Sequence, residues 1–103
     1  MITGKLSNGF EFEADEKVIG TYKFARLIAQ TVSSDRKTQL NATFQILPRL
    51  IGEDGEEALL EYIEEQTGEE ATEKYVSECI IEMLDIIKKE DEKLKKSSSS
   101  EES

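Results

Sequence analysis

The sequence predicts an α+β domain in which an N-terminal β-hairpin packs on about four α-helices. Two observations support this fold class. Apolar and polar residues alternate on both sides of an Asn-Gly turn near the N-terminus, and apolar residues after Thr21 recur at helical spacing. The chain has 103 residues, which is enough for one domain. We predict a single helical domain with an N-terminal hairpin over residues 1–92. Residues 93–103 are predicted to form a disordered acidic and Ser-rich tail, because Leu94 is the sole apolar residue there.

The predicted hairpin joins two alternating segments, residues 2–6 and 10–14, through Ser7-Asn8-Gly9. A two-residue Asn-Gly turn would place Leu6 and the phenylalanine side chains on opposite faces of the hairpin. A three-residue loop pairs Leu6 with Phe10 instead, and it brings the apolar side chains to one face. We therefore predict the three-residue loop, with its glycine in the left-handed conformation of a bulge turn.

The first two predicted helices carry apolar residues three and four positions apart. The first helix runs from about Thr21 to Val32, and its predicted apolar side consists of Tyr22, Ala25, Ile28, Ala29 and Val32. The second helix presents Leu40, Phe44, Leu47 and Ile51. Because Pro48 removes a backbone donor, this helix should kink there, or stop at Leu47 and restart.

Two further helices follow the break at Gly52-Glu53-Asp54-Gly55. Asp54 is predicted to cap the third helix, which ends near Gln66, and Thr67 with Glu70 forms a capping-box pattern. The fourth helix is therefore predicted from about Gly68 to Ile87. Its apolar stripe consists of Val76, Cys79, Ile80, Met83, Leu84 and Ile87, and Ile81 lies off that stripe.

The residue types in the chain do not suggest catalysis. The sequence has no histidine, which is the commonest general base and transition-metal ligand. Cys79 lies within an apolar stripe, where burial raises the pKa of a thiol and makes it a poor nucleophile. The acidic residues between 53 and 57 suit a helix N-terminus and lack the ligand spacing of a calcium loop. We predict no catalytic residue, no cofactor and no metal site, and therefore no enzyme.

Charge and hydropathy restrict the partners. Acidic residues outnumber basic ones by 23 to 13, which gives a net charge of -10. This charge repels nucleic-acid phosphates and anionic membrane surfaces, and no apolar run approaches the roughly 20 residues of a membrane span. The sequence has no signal-peptide pattern and a single cysteine, so a cytoplasmic, protein-binding role is expected. An acidic adaptor or a DNA-mimic inhibitor of a host protein is an alternative, although lysines interleave with the acids as on a solvated helix.

Three segments carry a resemblance to a known family. They are the opening Met1-Ile2-Thr3-Gly4-Lys5-Leu6-Ser7-Asn8-Gly9-Phe10-Glu11-Phe12-Glu13, the segment from Leu47 to Leu59 with its Gly-acid-acid-Gly turn, and the Glu/Lys-rich close running into Lys96-Ser97-Ser98-Ser99-Ser100-Glu101. The chain resembles the small tail assembly chaperones of long-tailed, siphovirus-type bacteriophages and prophages of Gram-positive hosts. This family has no catalytic motif.

The resemblance implies a role in virion assembly. Such a chaperone binds the tape-measure protein, keeps it soluble in the host cytoplasm, helps tail-tube subunits assemble around it, and is absent from the mature virion. A longer frameshift product would reach the tail-tube protein, and this chain would be the short form. Candidate partner-binding residues are Tyr62, Ile81 and Ile86, each of which could instead pack within its own fold. Self-association into a homo-oligomer stays open, because the last helix is apolar over a wide arc.

Overall fold

The structure, a computed structural model, describes residues 1–92 with their side chains and the backbone of residues 93–102. Two strands are followed by four helices along this part of the chain: β1 (Ile2–Lys5), β2 (Glu11–Ala14), α1 (Glu16–Ile19), α2 (Tyr22–Gln30), α3 (Arg36–Thr67) and α4 (Glu73–Glu102). The hairpin and the helices agree with the predicted α+β class. The predicted tail, residues 93–103, lies outside the residues described with side chains and stays a prediction.

The hairpin has the predicted three-residue loop. Strands β1 and β2 pair antiparallel, with Gly4 opposite Phe12 and Lys5 opposite Glu11. Beyond the strands, the Leu6 amide donates to the Phe10 carbonyl at 2.8 Å. Gly9 has a φ of 97°, so the loop contains the predicted left-handed glycine. The apolar face of the hairpin turns inward, and Ile2, Leu6, Phe12 and Ala14 are buried.

Helices α1 and α2 begin at capped positions. The Asp15 side chain accepts a hydrogen bond from the Lys17 amide, and this short α1 turn was not predicted. The Thr21 hydroxyl accepts from the Phe24 amide at 3.2 Å, so α2 begins where the sequence predicted a helix.

The buried side of α2 differs from the predicted one. Phe24 and Leu27 are buried, whereas Tyr22 and Val32 are 80% and 83% exposed. The predicted side was wrong because a second helical stripe, formed by Phe24, Leu27 and Ile28, competes with the first. This stripe carries larger apolar side chains than one that contains two alanines, so burying it removes more apolar area from water.

Helix α3 continues through Pro48 and breaks at Gly52 instead. Gly52 has φ 81° and ψ 164°, which are not helical values, so the break predicted at Gly52 is confirmed, whereas the interruption predicted at Pro48 is wrong. Pro48 leaves the Phe44 carbonyl without its helical donor, and Phe44 is 59% exposed. The exposure of Phe44 also corrects the predicted stripe, since the buried residues of this half are Ala42, Thr43, Ile46, Leu47 and Leu50.

Helix α4 begins later than predicted. Gly68 ends α3 with a φ of 75°, and a residue in this left-handed conformation cannot begin a right-handed helix. The Thr72 hydroxyl accepts from the Tyr75 amide at 3.1 Å, so Thr72 caps α4 in place of the predicted Thr67. The predicted stripe is confirmed, because Cys79, Ile80, Met83 and Ile87 are buried and Val76 and Leu84 pack against the core.

One hydrophobic core lies between the inner face of the hairpin and helices α2, α3 and α4. Each of these elements contributes fully buried side chains to a single cluster. The largest members are Phe24, Ile46, Leu47, Leu50, Leu59, Ile63, Met83 and Ile87. Residues 1–92 therefore form one packed unit, with α4 lying across both the hairpin and α3.

Candidate protein-docking surface

Tyr62 packs within the fold. Its hydroxyl donates to the Asn8 carbonyl at 2.8 Å, and its ring lies 5.5 Å from the Phe10 ring, tilted by 57°. Both contacts join α3 to the hairpin, and the side chain is half-buried. Tyr62 therefore fixes the position of the hairpin loop, a role that its position at the edge of a helical stripe did not reveal.

The hairpin loop is also held by α4. The Ser7 hydroxyl donates to Glu82 Oε2 at 3.0 Å, and the Asn8 amide Nδ2 donates to the Tyr75 hydroxyl at 3.3 Å. These contacts were not predicted, because residues separated by 67 and 75 positions leave no local signal of their pairing.

Ile86, the second candidate residue, packs on strand β1. It is half-buried against the core, and a Cβ atom placed on Gly4 would lie 2.8 Å from Ile86 Cγ2. Glycine at position 4 thus lets the strand backbone approach α4 closely. Ile86 contributes to the seam between α4 and the hairpin.

Ile81 is the one candidate of the three that faces solvent. It is 67% exposed, as its position off the α4 stripe predicted. Its side chain lines an open groove of about 670 Å³ that separates α4 from α2 and α3. The apolar residues of this groove are Ile28 and Val32 from the α2 side, Ile46 from α3, and Ile80, Ile81 and Leu84 from α4.

The groove continues toward α1. A second hollow, of about 220 Å³, adjoins the first at Leu84 and is lined by Ile19 of α1 and Ile87 of α4. We call both hollows together the α4 groove. It follows α4 from Glu73 to Asp91, a span of about 27 Å at the helical rise of about 1.5 Å per residue.

Two branched apolar side chains form the edges of the α4 groove. Val32, just beyond the end of α2, is 83% exposed, and Ile81 is exposed on the α4 side. Single exposed apolar residues are ordinary, but two that line one apolar concavity form a continuous patch. Such patches, rimmed by polar residues, are typical of protein interaction sites.

Polar contacts fix the walls of the α4 groove at one end. Arg36 Nη2 lies 2.7 Å from Glu73 Oε2, which joins the first turns of α3 and α4. Gln39 Nε2 donates to the Thr31 carbonyl at 2.9 Å and ties α3 to the end of α2. All three helices that enclose this end are therefore linked at the same level, and the groove is built into the fold.

Cys79 is buried in the hydrophobic core, and its side chain does not line the groove. Burial, together with the nearby charges of Glu82 and Glu78, raises the pKa of its thiol to about 11. The thiol is thus protonated at neutral pH, as predicted, and is a weak nucleophile.

We expect Cys79 to react with iodoacetamide at pH 8 about 100-fold more slowly in the folded protein than in urea. A pKa raised from 9.0 to about 11 lowers the thiolate fraction roughly tenfold per unit, and burial adds to the effect. The stabilising effect of the protonated thiol is present below pH 9 and lost as the pH rises toward 11. Alkylation followed by mass spectrometry measures the ratio, and similar rates in both states would contradict the burial.

The acidic residues at the start of the second half of α3 repel one another. The pKa of Glu56 is raised, first by burial and then by the nearby charges of Glu53 and Glu57. Over the described residues, no three carboxylate or thiol side chains come close enough to hold a metal ion. These carboxylates therefore make the electrostatic potential near the α3 break more negative.

Comparisons with known proteins do not place the chain in a family. No family model matches it, no curated protein matches it, and no solved structure matches it. In the part of the chain that the structure describes, no helix is both long and apolar enough to cross a membrane. The α4 groove is therefore the basis for a functional proposal.

Proposed function

We propose that this chain is a tail assembly chaperone of a long-tailed bacteriophage or prophage, and that it binds the tape-measure protein without catalysing a reaction. The α4 groove is the observation that carries this proposal. It offers an apolar concavity with exposed Val32 and Ile81 at its edges, in the fold of a strongly acidic chain. The resemblance of three sequence segments to the tail assembly chaperones indicates the partner.

The physical requirements of such a chaperone match these features. A long helical client exposes an apolar stripe before it is assembled, and that stripe aggregates unless another apolar surface covers it. A net charge of -10 keeps a protein with an exposed apolar groove in solution, and it does the same for the complex. The chaperone acts in the host cytoplasm and leaves before the virion is complete. A longer frameshift product would bring the tail-tube protein to the same client.

Co-expression with the tape-measure protein of the same phage or prophage tests the proposal. We expect the soluble fraction of that client to rise several-fold when the chain is present, and the two proteins to elute together from a sizing column. A small acidic helical protein without an apolar groove is the control for non-specific charge effects. An unchanged soluble fraction, or the same rise with the control protein, would refute the chaperone role.

The net charge also favours a second candidate, an acidic adaptor or DNA-mimic inhibitor that binds a host protein. The two functions differ in how their complexes respond to nucleic acid. Duplex DNA would compete for a DNA-binding host protein held by a mimic, whereas it would leave a complex with the tape-measure protein intact. Competition by DNA in a binding assay with a defined DNA-binding protein therefore separates them.

A further inference from the structure

We propose that the α4 groove binds a single amphipathic helix of about five turns with basic residues flanking its apolar stripe. The inference deepens the proposed function, because it names the surface and the chemistry of the client segment. It depends on that function only for the identity of the partner. The groove itself is defined by Ile28, Val32, Ile46, Ile81 and Leu84.

The shape of the groove suits a helix better than an extended strand. Its walls are helices on both sides, and it offers side-chain surface where an extended segment would need a free sheet edge for its backbone hydrogen bonds. Residues Ser77, Ile81, Leu84 and Lys88 lie three or four positions apart on α4, so they form one ridge along the groove. A helix laid beside this ridge can interlock its own side chains with it.

The length of the groove sets the length of the occupant. The span from Glu73 to Asp91 is about 27 Å, which equals about 18 helical residues or about five turns. An apolar stripe of that length presents about four or five large side chains, one for each turn. A longer client helix can therefore be covered by several copies of this chain placed one after another.

Charge decides between a partner helix and a second copy of this chain. Among the described residues that line the groove, Glu16, Glu73, Glu78 and Asp91 are acidic and Lys74 and Lys88 are basic. Glu73 is paired with Arg36 and Glu16 with the N-terminal amino group, so the preference for a basic partner depends on the charge of the whole chain. The whole chain carries a charge of -10, so two copies repel each other on approach. A helix with lysine or arginine beside its apolar stripe is attracted to the same surface.

A synthetic peptide of about 18 residues, with leucine at helical spacing on one side and lysine elsewhere, is the probe for this proposal. We expect fluorescence anisotropy to show saturable binding of the labelled peptide to the full chain. A scrambled peptide of the same composition should bind at least tenfold more weakly, because it has the same charge but no apolar stripe. A peptide with glutamate in place of lysine should also bind at least tenfold more weakly.

Substitutions on the groove edges locate the binding. The pair Ile81→Ser and Val32→Ser, combined in one chain, should weaken peptide binding at least tenfold without adding charge. Tyr22→Ser is the matched control, since Tyr22 is 80% exposed but does not line the groove, and it should change binding less than twofold. Amide chemical-shift changes on the unsubstituted chain should cluster at the groove and spare the outer face of the hairpin.

Four results would overturn the inference. Equal binding of the scrambled peptide, or no effect of the paired substitution, would mean that charge alone attracts the probe. Dimerisation of the free chain in sedimentation that the paired substitution abolishes would assign the groove to a second copy.

The chaperone role fails separately: peptide binding at the groove with no gain in client solubility refutes the role and leaves the groove site standing. Client solubility that survives the paired substitution refutes the groove and leaves the role standing.

Discussion

Replacing Ile87 with alanine should remove about 3 kcal/mol from the free energy of unfolding, whereas replacing Ile81 with alanine should change it by less than about 0.5 kcal/mol. Ile87 is 1% exposed and contacts the core, while Ile81 is 67% exposed on the same helix. Both changes are isoleucine to alanine within α4, so they alter helix propensity equally. The difference between them reports the lost burial and the cavity left behind at Ile87.

Urea unfolding followed by far-UV circular dichroism measures both values. For a domain of this size, about 3 kcal/mol corresponds to a fall of roughly 12–24 °C in the midpoint of thermal unfolding. Because small domains have modest stability, the Ile87→Ala chain is expected to be partly unfolded at physiological temperature. Equal losses at the two positions would contradict the orientation of α4.

Replacing Gly9 with alanine should destabilise the protein by about 2–3 kcal/mol. Gly9 has a φ of 97°, a conformation that costs a residue with a Cβ atom about 1–2 kcal/mol. The added Cβ would also lie 2.6 Å from the Tyr62 hydroxyl oxygen, which must move and lose its hydrogen bond to Asn8. The loop would therefore lose both its preferred conformation and its attachment to α3.

Two further substitutions separate these contributions. Gly68 has a φ of 75° and open space around its would-be Cβ, so Gly68→Ala should show the conformational cost alone. In a Tyr62→Phe background the obstructing hydroxyl is absent, and Gly9→Ala should then cost about 1 kcal/mol less than in the original chain. Equal costs in the two backgrounds would exclude the contact between the loop and Tyr62 as a cause.

Patterns between near neighbours in the sequence predicted the hairpin and the α4 stripe. The three-residue loop followed from requiring Leu6 and Phe10 to share one face, which the register confirms. The buried side of α2 was not predictable from such local patterns. Two helical stripes were present, and packing against α3 decided which of them became buried. The break at Gly52 followed from the Gly-acid-acid-Gly segment, whereas the continuation of the helix through Pro48 was not predicted.

The candidate surface was predictable on one side only. Ile81 lay off the main stripe of its own helix, and that signal was enough to single it out. The opposite edge, Val32, belongs to the end of another helix, and its place beside Ile81 depends on how α2, α3 and α4 pack. Tyr62 and Ile86 carried a similar signal but cover the hairpin, because their contacts come from distant strand residues.

The attachment of the hairpin loop to α4 sets the order in which the chain can assemble. Closing a flexible loop costs chain entropy that grows with the logarithm of its length. The Ile2–Ala14 pair closes 12 residues, whereas the Ser7–Glu82 pair closes 75. The second closure costs about 1.6 kcal/mol more if nothing between has folded. Once α2 and α3 have folded, the flexible chain between the hairpin and α4 is short. The docking of α4 then costs less chain entropy. Helix α3 already packs on β2 and holds the loop through Tyr62, so α4 covers the part of the hairpin's apolar face that remains, along β1.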